Sequence, residues 1–188
     1  MNHSINEDGL LLFIKDVSRE DERAFKQLYD YTHQKTFQYL YRLTGNRELA
    51  EDLLIETYTE IWKSAGKFQG RSKVHTWIIG IARNLAMNEF RKNNIKEFEL
   101  DEEMPCLPNQ FACSSACERS TILEKALDLL PRKHREVLDC VFLQEMGYED
   151  ISHIMGIPVS TVKTRVFYAK EKLRTVFGSM GIKKDDLL

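Results

Sequence analysis

The 188-residue sequence predicts an all-α protein of two small helical domains joined by an irregular acidic linker, the second domain a helix-turn-helix. Three observations carry that prediction. Apolar residues recur at threes and fours, the spacing of one helix face, and strand-type alternation is absent. Residues 96–119 lose the period and hold Pro105, Pro108 and the acids Glu97, Glu99, Asp101, Glu102 and Glu103, a linker composition. Residues 148–174 read as a short helix, a glycine turn and a longer helix. The domains expected are therefore 1–95 and 120–188, with 96–119 between them.

Composition excludes several classes. At 43% hydrophobic and 30% charged, the chain is an ordinary globular one. No stretch approaches the roughly 20 apolar residues that span a membrane. The start, MNHSINEDGLLLF, lacks a basic segment followed by a long apolar run. A cytoplasmic location is the expectation, with the four cysteines as reduced thiols. Net charge is only −2, but its distribution is uneven. Residues 63–92 hold seven bases and one acid, and residues 159–174 hold five bases and one acid. Two local basic patches on an acidic chain point to directed contacts with an anion.

In the first domain Ala24, Phe25, Leu28, Phe37, Leu40, Tyr41 and Leu43 mark a helix, and Thr44-Gly45-Asn46 ends it. Then comes ELAEDLLIETYTEIW, residues 48–62, with five acids and no base. On a helix Glu48, Asp52, Glu56 and Glu60 stack in one row. Each like-charged i,i+4 pair costs about 0.2–0.5 kcal/mol, so the row is unfavourable in isolation. A basic partner covering it would reverse that; a solvated acidic face is the competing reading. The same helix has an apolar face of Leu49, Leu53, Leu54, Tyr58, Ile61 and Trp62.

Gly66 and Gly70 loosen the next stretch, and Trp77, Ile78, Ile81, Leu85 and Phe90 mark another amphipathic helix. Lys67, Phe68, Arg71, Lys73, Arg83, Asn84, Asn88 and Arg91 lie along this stretch. Rings plus bases suit single-stranded nucleic acid, where any base can stack and cations follow the backbone. Trp77 is assigned to core packing by its place on the apolar stripe, and capping or bridging serves Asn84 equally well.

In the second domain Ile122, Leu123, Ala126, Leu127 and Leu130 lead to Pro131, which can open a helix in its first turn. Val137, Leu138, Val141 and Phe142 are expected to continue that helix. Ile151, Ile154 and Met155 face inward on the short helix. Gly156 suits a left-handed turn, and Pro158 can start the next helix. Val162, Val166, Ala169 and Leu173 form its inward stripe. Its outward face carries Ser160, Thr161, Lys163, Thr164, Phe167 and Tyr168, suited to base edges and thymine methyls in a major groove. Arg165, Lys170, Lys172 and Arg174 are placed to neutralise phosphates. A helical hairpin with a solvated basic face is the alternative.

GIPVSTVKTRVFYAKEKLR resembles the promoter-reading end of the extracytoplasmic-function (ECF) sigma factors. AFKQLYDYTHQKTFQYLYRLTGNRELAEDLLIETYTEIW, followed by TWIIGIARNLAMNEFRK, resembles the family's first domain, in the family's order. The resemblance covers about residues 20–177. It implies a region 2-type domain over 1–95 and a region 4-type domain over 120–188. It implies that Glu48, Asp52, Leu53, Glu56, Tyr58 and Trp62 serve docking on a basic coiled coil of the largest subunit of core RNA polymerase. It implies that the patch from Lys67 to Arg91 reads and melts the −10 element, with a base pocket in the loop FQGRSKVH (68–75). Residues 160–174 would read the −35 duplex, and the acidic linker would run through the polymerase's basic channels. Promoter DNA and an anti-sigma factor are implied as further partners. Three departures bear on specificity: Asn88 where the family often has Asp, Ser160 for a frequent Gly, and Tyr168 for a frequent Arg. Losing a guanidinium removes the commonest bidentate partner for guanine.

No catalytic constellation, cofactor motif or metal spacing accompanies these features. Cys106, Cys113, Cys117 and Cys140 show neither paired CxxC spacing nor neighbouring histidines. The expectation is a non-enzyme without cofactors. An autonomous helix-turn-helix regulator and a protein-binding helical adaptor are the competing functions. The absence of a long heptad seam for dimerisation counts against the regulator.

Overall fold

The computed structural model describes residues 6–92, 127 and 129–179 of the chain. Those residues are helical or irregular, with no strand among them. The chain divides into two compact units, Met1–Ile95 and Lys96–Leu188. The expected linker and its cysteines Cys106, Cys113 and Cys117 lie outside the described residues, as do Ile122, Leu123 and Ala126.

Among its described residues the first unit has four α-helices: α1 (Glu7–Val17), α2 (Glu22–Thr44), α3 (Arg47–Ser64) and α4 (Val74–Lys92). Side-chain caps set where three of them start. Asn6 accepts from the Gly9 amide (3.1 Å). Asp21 accepts from the amides of Arg23 (2.8 Å) and Ala24 (3.1 Å). Asn46 accepts from the Leu49 amide (3.1 Å). Each satisfies an amide that the first helical turn leaves unpaired, worth about 1 kcal/mol. Between α2 and α3, Gly45 takes φ 67°, a left-handed cap available to it without strain. The Thr44-Gly45-Asn46 break is therefore a helix stop followed at once by a helix start.

The helices pack α1 on α2, α2 on α3, and α4 against both α2 and α3. Leu28, Tyr39, Leu40, Ile61, Val74, Ile78 and Ile79 are fully buried between them. Each such large side chain contributes about 1.5–3 kcal/mol by leaving water. Helix α1 was not foreseen from the apolar spacing; it adds Leu10, Ile14 and Val17 to this core. The buried stripe of α4 also differs from expectation. It is Val74, Ile78, Ile79, Ala82, Ala86, Met87 and Phe90, while Trp77, Ile81 and Leu85 are half-buried on its flank. Small Ala82 and Ala86 let the neighbouring helices approach that side closely, a selection that large-residue spacing does not reveal.

The second unit contains α5 (Arg132–Leu138), α6 (Tyr148–Met155) and α7 (Val159–Ser179). Pro131 stands at the N-cap, one residue before α5, and not within its first turn. Nor does the helix continue through Val141 and Phe142. It gives way to a π-turn over Asp139–Leu143. The Gln144 side chain donates to Asp139 Oδ1 (2.9 Å), and the Gln144 amide donates to the Asp139 carbonyl (3.0 Å). The wider turn shifts the helix phase, so Phe142 swings out to solvent instead of extending the inward stripe. Leu130, Leu138 and Ala169 form a core cluster against which Leu127 and Leu173 pack.

Candidate protein and nucleic-acid interfaces

On α3 one side is core and the other is charge. Ala50, Leu53, Leu54, Thr57, Tyr58 and Ile61 are buried. Glu48, Glu51, Asp52, Glu56 and Glu60 are exposed. Arg47 pairs with Glu51 across one helical turn (2.8 Å). Among the described residues no ion pair reaches Glu48, Asp52, Glu56 or Glu60. The row of four carboxylates therefore faces water with its repulsion unrelieved. Two residues expected to join this surface do not. Leu53 is 2% exposed and Tyr58 is 3% exposed, so both hold the helix in place from behind. Trp62 is half-buried, edge-on to Phe25 with ring centroids 5.1 Å apart. Ile55, which the sequence pattern did not single out, stands 68% exposed on the acidic side. Isolated exposed Ile on an otherwise charged face is visible only once the helix phase is fixed.

The second surface follows directly. A 3-10 turn, Ala65–Lys67, leads into an exposed loop in which Gly70 takes φ 67°. Lys67, Arg71 and Lys73 are exposed there. Phe68 is half-buried against Trp77, with ring centroids 5.1 Å apart. Trp77 is thus a half-exposed member of an aromatic pair beside three cations, not the core residue expected. Further along α4, Asn84, Asn88 and Arg91 are exposed, and Arg83 is half-buried. Arg91 donates to Asn88 Oδ1 (3.3 Å). The loop's exit is capped from a distance: the Val74 amide donates to Glu7 Oε1, reaching across 67 residues. Pattern reasoning could not find Glu7, because this contact depends on the tertiary packing of α1.

The third surface is the outer side of α7. Gly156 ends α6 at φ 66°, and its amide donates to the Ser152 carbonyl. Ser152 Oγ donates to the Ile157 carbonyl (2.6 Å), closing the turn. The Val162 amide donates to the Pro158 carbonyl (3.1 Å), so Pro158 stands just before α7. Val162, Val166 and Ala169 are buried. Ser160, Lys163, Thr164, Phe167, Tyr168 and Lys170 are exposed, while Thr161 and Arg165 are half-buried. Phe167 and Tyr168 are 60% and 55% exposed, in an edge-on pair with centroids 5.6 Å apart. The Thr164 hydroxyl donates to the Ser160 carbonyl (2.9 Å), which leaves its methyl as its outward offering. Lys170 Nζ lies 5.1 Å from the centre of the exposed Phe142 ring. This is a polar, cationic and aromatic helix face of the kind that enters a major groove.

No group of three or more metal-ligating side chains exists among the described residues, and Cys140 is buried and forms no disulfide. No helix among them is long and apolar enough to cross a membrane.

Residues 28–95 match the family model Sigma-70 region 2, and residues 120–173 match Sigma-70, region 4. The ECF RNA polymerase sigma factor SigW of Bacillus subtilis is 31% identical, over 86% of this chain and 92% of its own. SigM of the same organism, also an ECF RNA polymerase sigma factor, is 29% identical, over 80% and 93%. Two solved structures have a similar fold at a TM-score of 0.65. One is the Bartonella quintana sigma factor RpoE in complex with the anti-sigma factor NepR, 24% identical over 82% of this chain and 96% of that one. The other is CnrH in complex with the cytosolic domain of CnrY, 17% identical over 91% and 98%.

Proposed function

The chain belongs to the ECF family of RNA polymerase sigma factors, and on that premise we propose that it docks on core RNA polymerase and directs initiation at promoters whose −10 and −35 elements it reads. Sigma factors are initiation factors and not enzymes. The observation that carries the reading is that each unit exposes the chemistry its assigned partner needs. In the first unit Glu48, Asp52, Glu56 and Glu60 stand exposed without ion pairs. A basic helical partner converts that repulsion into attraction. Beside them the cationic loop and the Phe68–Trp77 pair suit a single strand. In the second unit Ser160, Lys163, Thr164, Phe167 and Tyr168 form one outward face after a helix-turn-helix turn. Those residues reach base edges, and Lys170, Lys172 and Arg174 follow phosphates.

An anti-sigma partner belongs to the same proposal. Such an inhibitor would work by covering the outward faces of α3 or α7. The test of the function is transcription itself. Core polymerase and genomic fragments are incubated with and without the protein, and transcript starts are sequenced. The reading predicts starts at a restricted promoter set only when the protein is present. An unchanged set of starts refutes it.

A further inference from the structure

Helix α1 (Glu7–Val17) lies outside the family match, which begins at residue 28. We propose that α1 is a clamp on the loop between the 3-10 turn and α4, with Glu7 as its positioning residue for −10 strand capture. The proposal rests on the reading of that loop as the single-strand site.

The loop is held at both ends by the same helix. At its entry α1 packs against the 3-10 turn, and Ser18, just after α1, lies beside Gly66, where an added Cβ would stand 3.9 Å from Ser18 Cβ. At its exit Glu7 Oε1 takes the Val74 amide, the first helical residue of α4. A carboxylate there also meets the positive end of the α4 dipole. The two anchors lie at opposite ends of α1, whose Leu10, Ile14 and Val17 are locked in the core. Between the anchors the Phe68–Trp77 ring contact ties the start of the loop to α4, and little else holds it. Inside it, among the described residues, Ser72 Oγ donates weakly to the Lys73 carbonyl (3.3 Å), and Gly70 supplies a left-handed bend. Arg71 and Lys73 are exposed. A loop that must present cations and a ring pair to one extruded base gains from ends fixed beforehand, because less ordering is left for binding. Glu7 touches no nucleic acid in this account; it acts through the Val74 amide.

The experiment uses the full chain assembled with core polymerase. The probe is a labelled oligonucleotide carrying the non-template −10 strand of a promoter that the complex transcribes, intact or abasic at each position in turn. The unaltered chain should lose about tenfold or more in affinity when the captured base is removed. Glu7→Ala should weaken binding of the intact strand about fivefold, the scale of one lost helix cap. It should bind the strand lacking the captured base as the unaltered chain does. Glu7→Gln keeps an acceptor oxygen and should restore intact-strand binding. Should Glu7→Ala fail to fold, Glu7→Asp replaces it, since its carboxylate falls one methylene short of Val74. Equal losses on intact and abasic strands, or no loss at all, overturn the clamp while leaving the loop reading in place. If no abasic position weakens the unaltered chain, the loop reading falls and the clamp with it.

Discussion

Tyr58 lies between Glu56 and Glu60 in the sequence, yet it belongs to the interior. Its hydroxyl meets Thr32 Oγ1 at 2.6 Å, and Thr32 spends its own proton on the Leu28 carbonyl (2.6 Å). Tyr58 is therefore the donor. Burial, the main cause, pushes its pKa from 10.0 up to about 12. The fold thus favours the neutral phenol. That contribution is complete below the ordinary tyrosine value of about 10 and is lost as pH rises through the folded value. Thermal melts of the protein should show a decline between pH 10 and pH 12 that is smaller in Tyr58→Phe. A variant and a parent that decline identically would remove Tyr58 as the cause. At neutral pH Tyr58→Phe should cost about 0.5–1.5 kcal/mol, because Thr32 loses a buried donor. The sequence placed Tyr58 on an apolar stripe, which the structure shares. Its second assignment, to a docking surface, came from the family resemblance, and a residue 3% exposed has no surface to offer.

At the scale of elements, α3 and α7 were legible because each is a long helix with one apolar and one polar side. The row at Glu48, Asp52, Glu56 and Glu60 needs only the i,i+4 rule to be seen. Charge reversal at Asp52 and Glu56 to Lys should weaken binding to core polymerase while leaving helix content nearly unchanged, since both side chains are exposed. Fluorescence titration against core enzyme measures this, and an unchanged affinity returns the row to simple solvation. On α7, Lys163→Ala should change discrimination at particular −35 positions by about 1–3 kcal/mol. Lys170→Ala should lower affinity evenly across sequences and reduce its salt dependence. A uniform effect from Lys163→Ala would move that residue to the phosphate contacts. Elsewhere the elements were less legible. The π-turn at Asp139–Leu143 is accompanied by the Gln144–Asp139 side-chain hydrogen bond, which carries no periodic signal. In α4 the burying side is chosen by Ala82 and Ala86, so the larger Trp77, Ile81 and Leu85 misled the spacing argument. Helix α1 is short, and no spacing rule marks Glu7, whose partner is the Val74 amide at the start of α4.

Across the whole molecule, each of two units exposes cations and aromatic rings on one side among its described residues, and the first also exposes the acidic row. That division leads to the expectation, part of the proposed function, that promoter reading requires core polymerase to hold the two units at one spacing. Two linked contacts reinforce each other only where geometry lets both engage. The most direct measurement is affinity for promoter duplexes in which the distance between the −35 and −10 elements is varied, with and without core polymerase. With core enzyme, affinity should rise sharply and peak at one spacing. Alone, the protein should bind weakly and without regard to spacing. Tight, sequence-specific binding by the protein alone, or a complex with core enzyme that ignores spacing, would rule out that requirement.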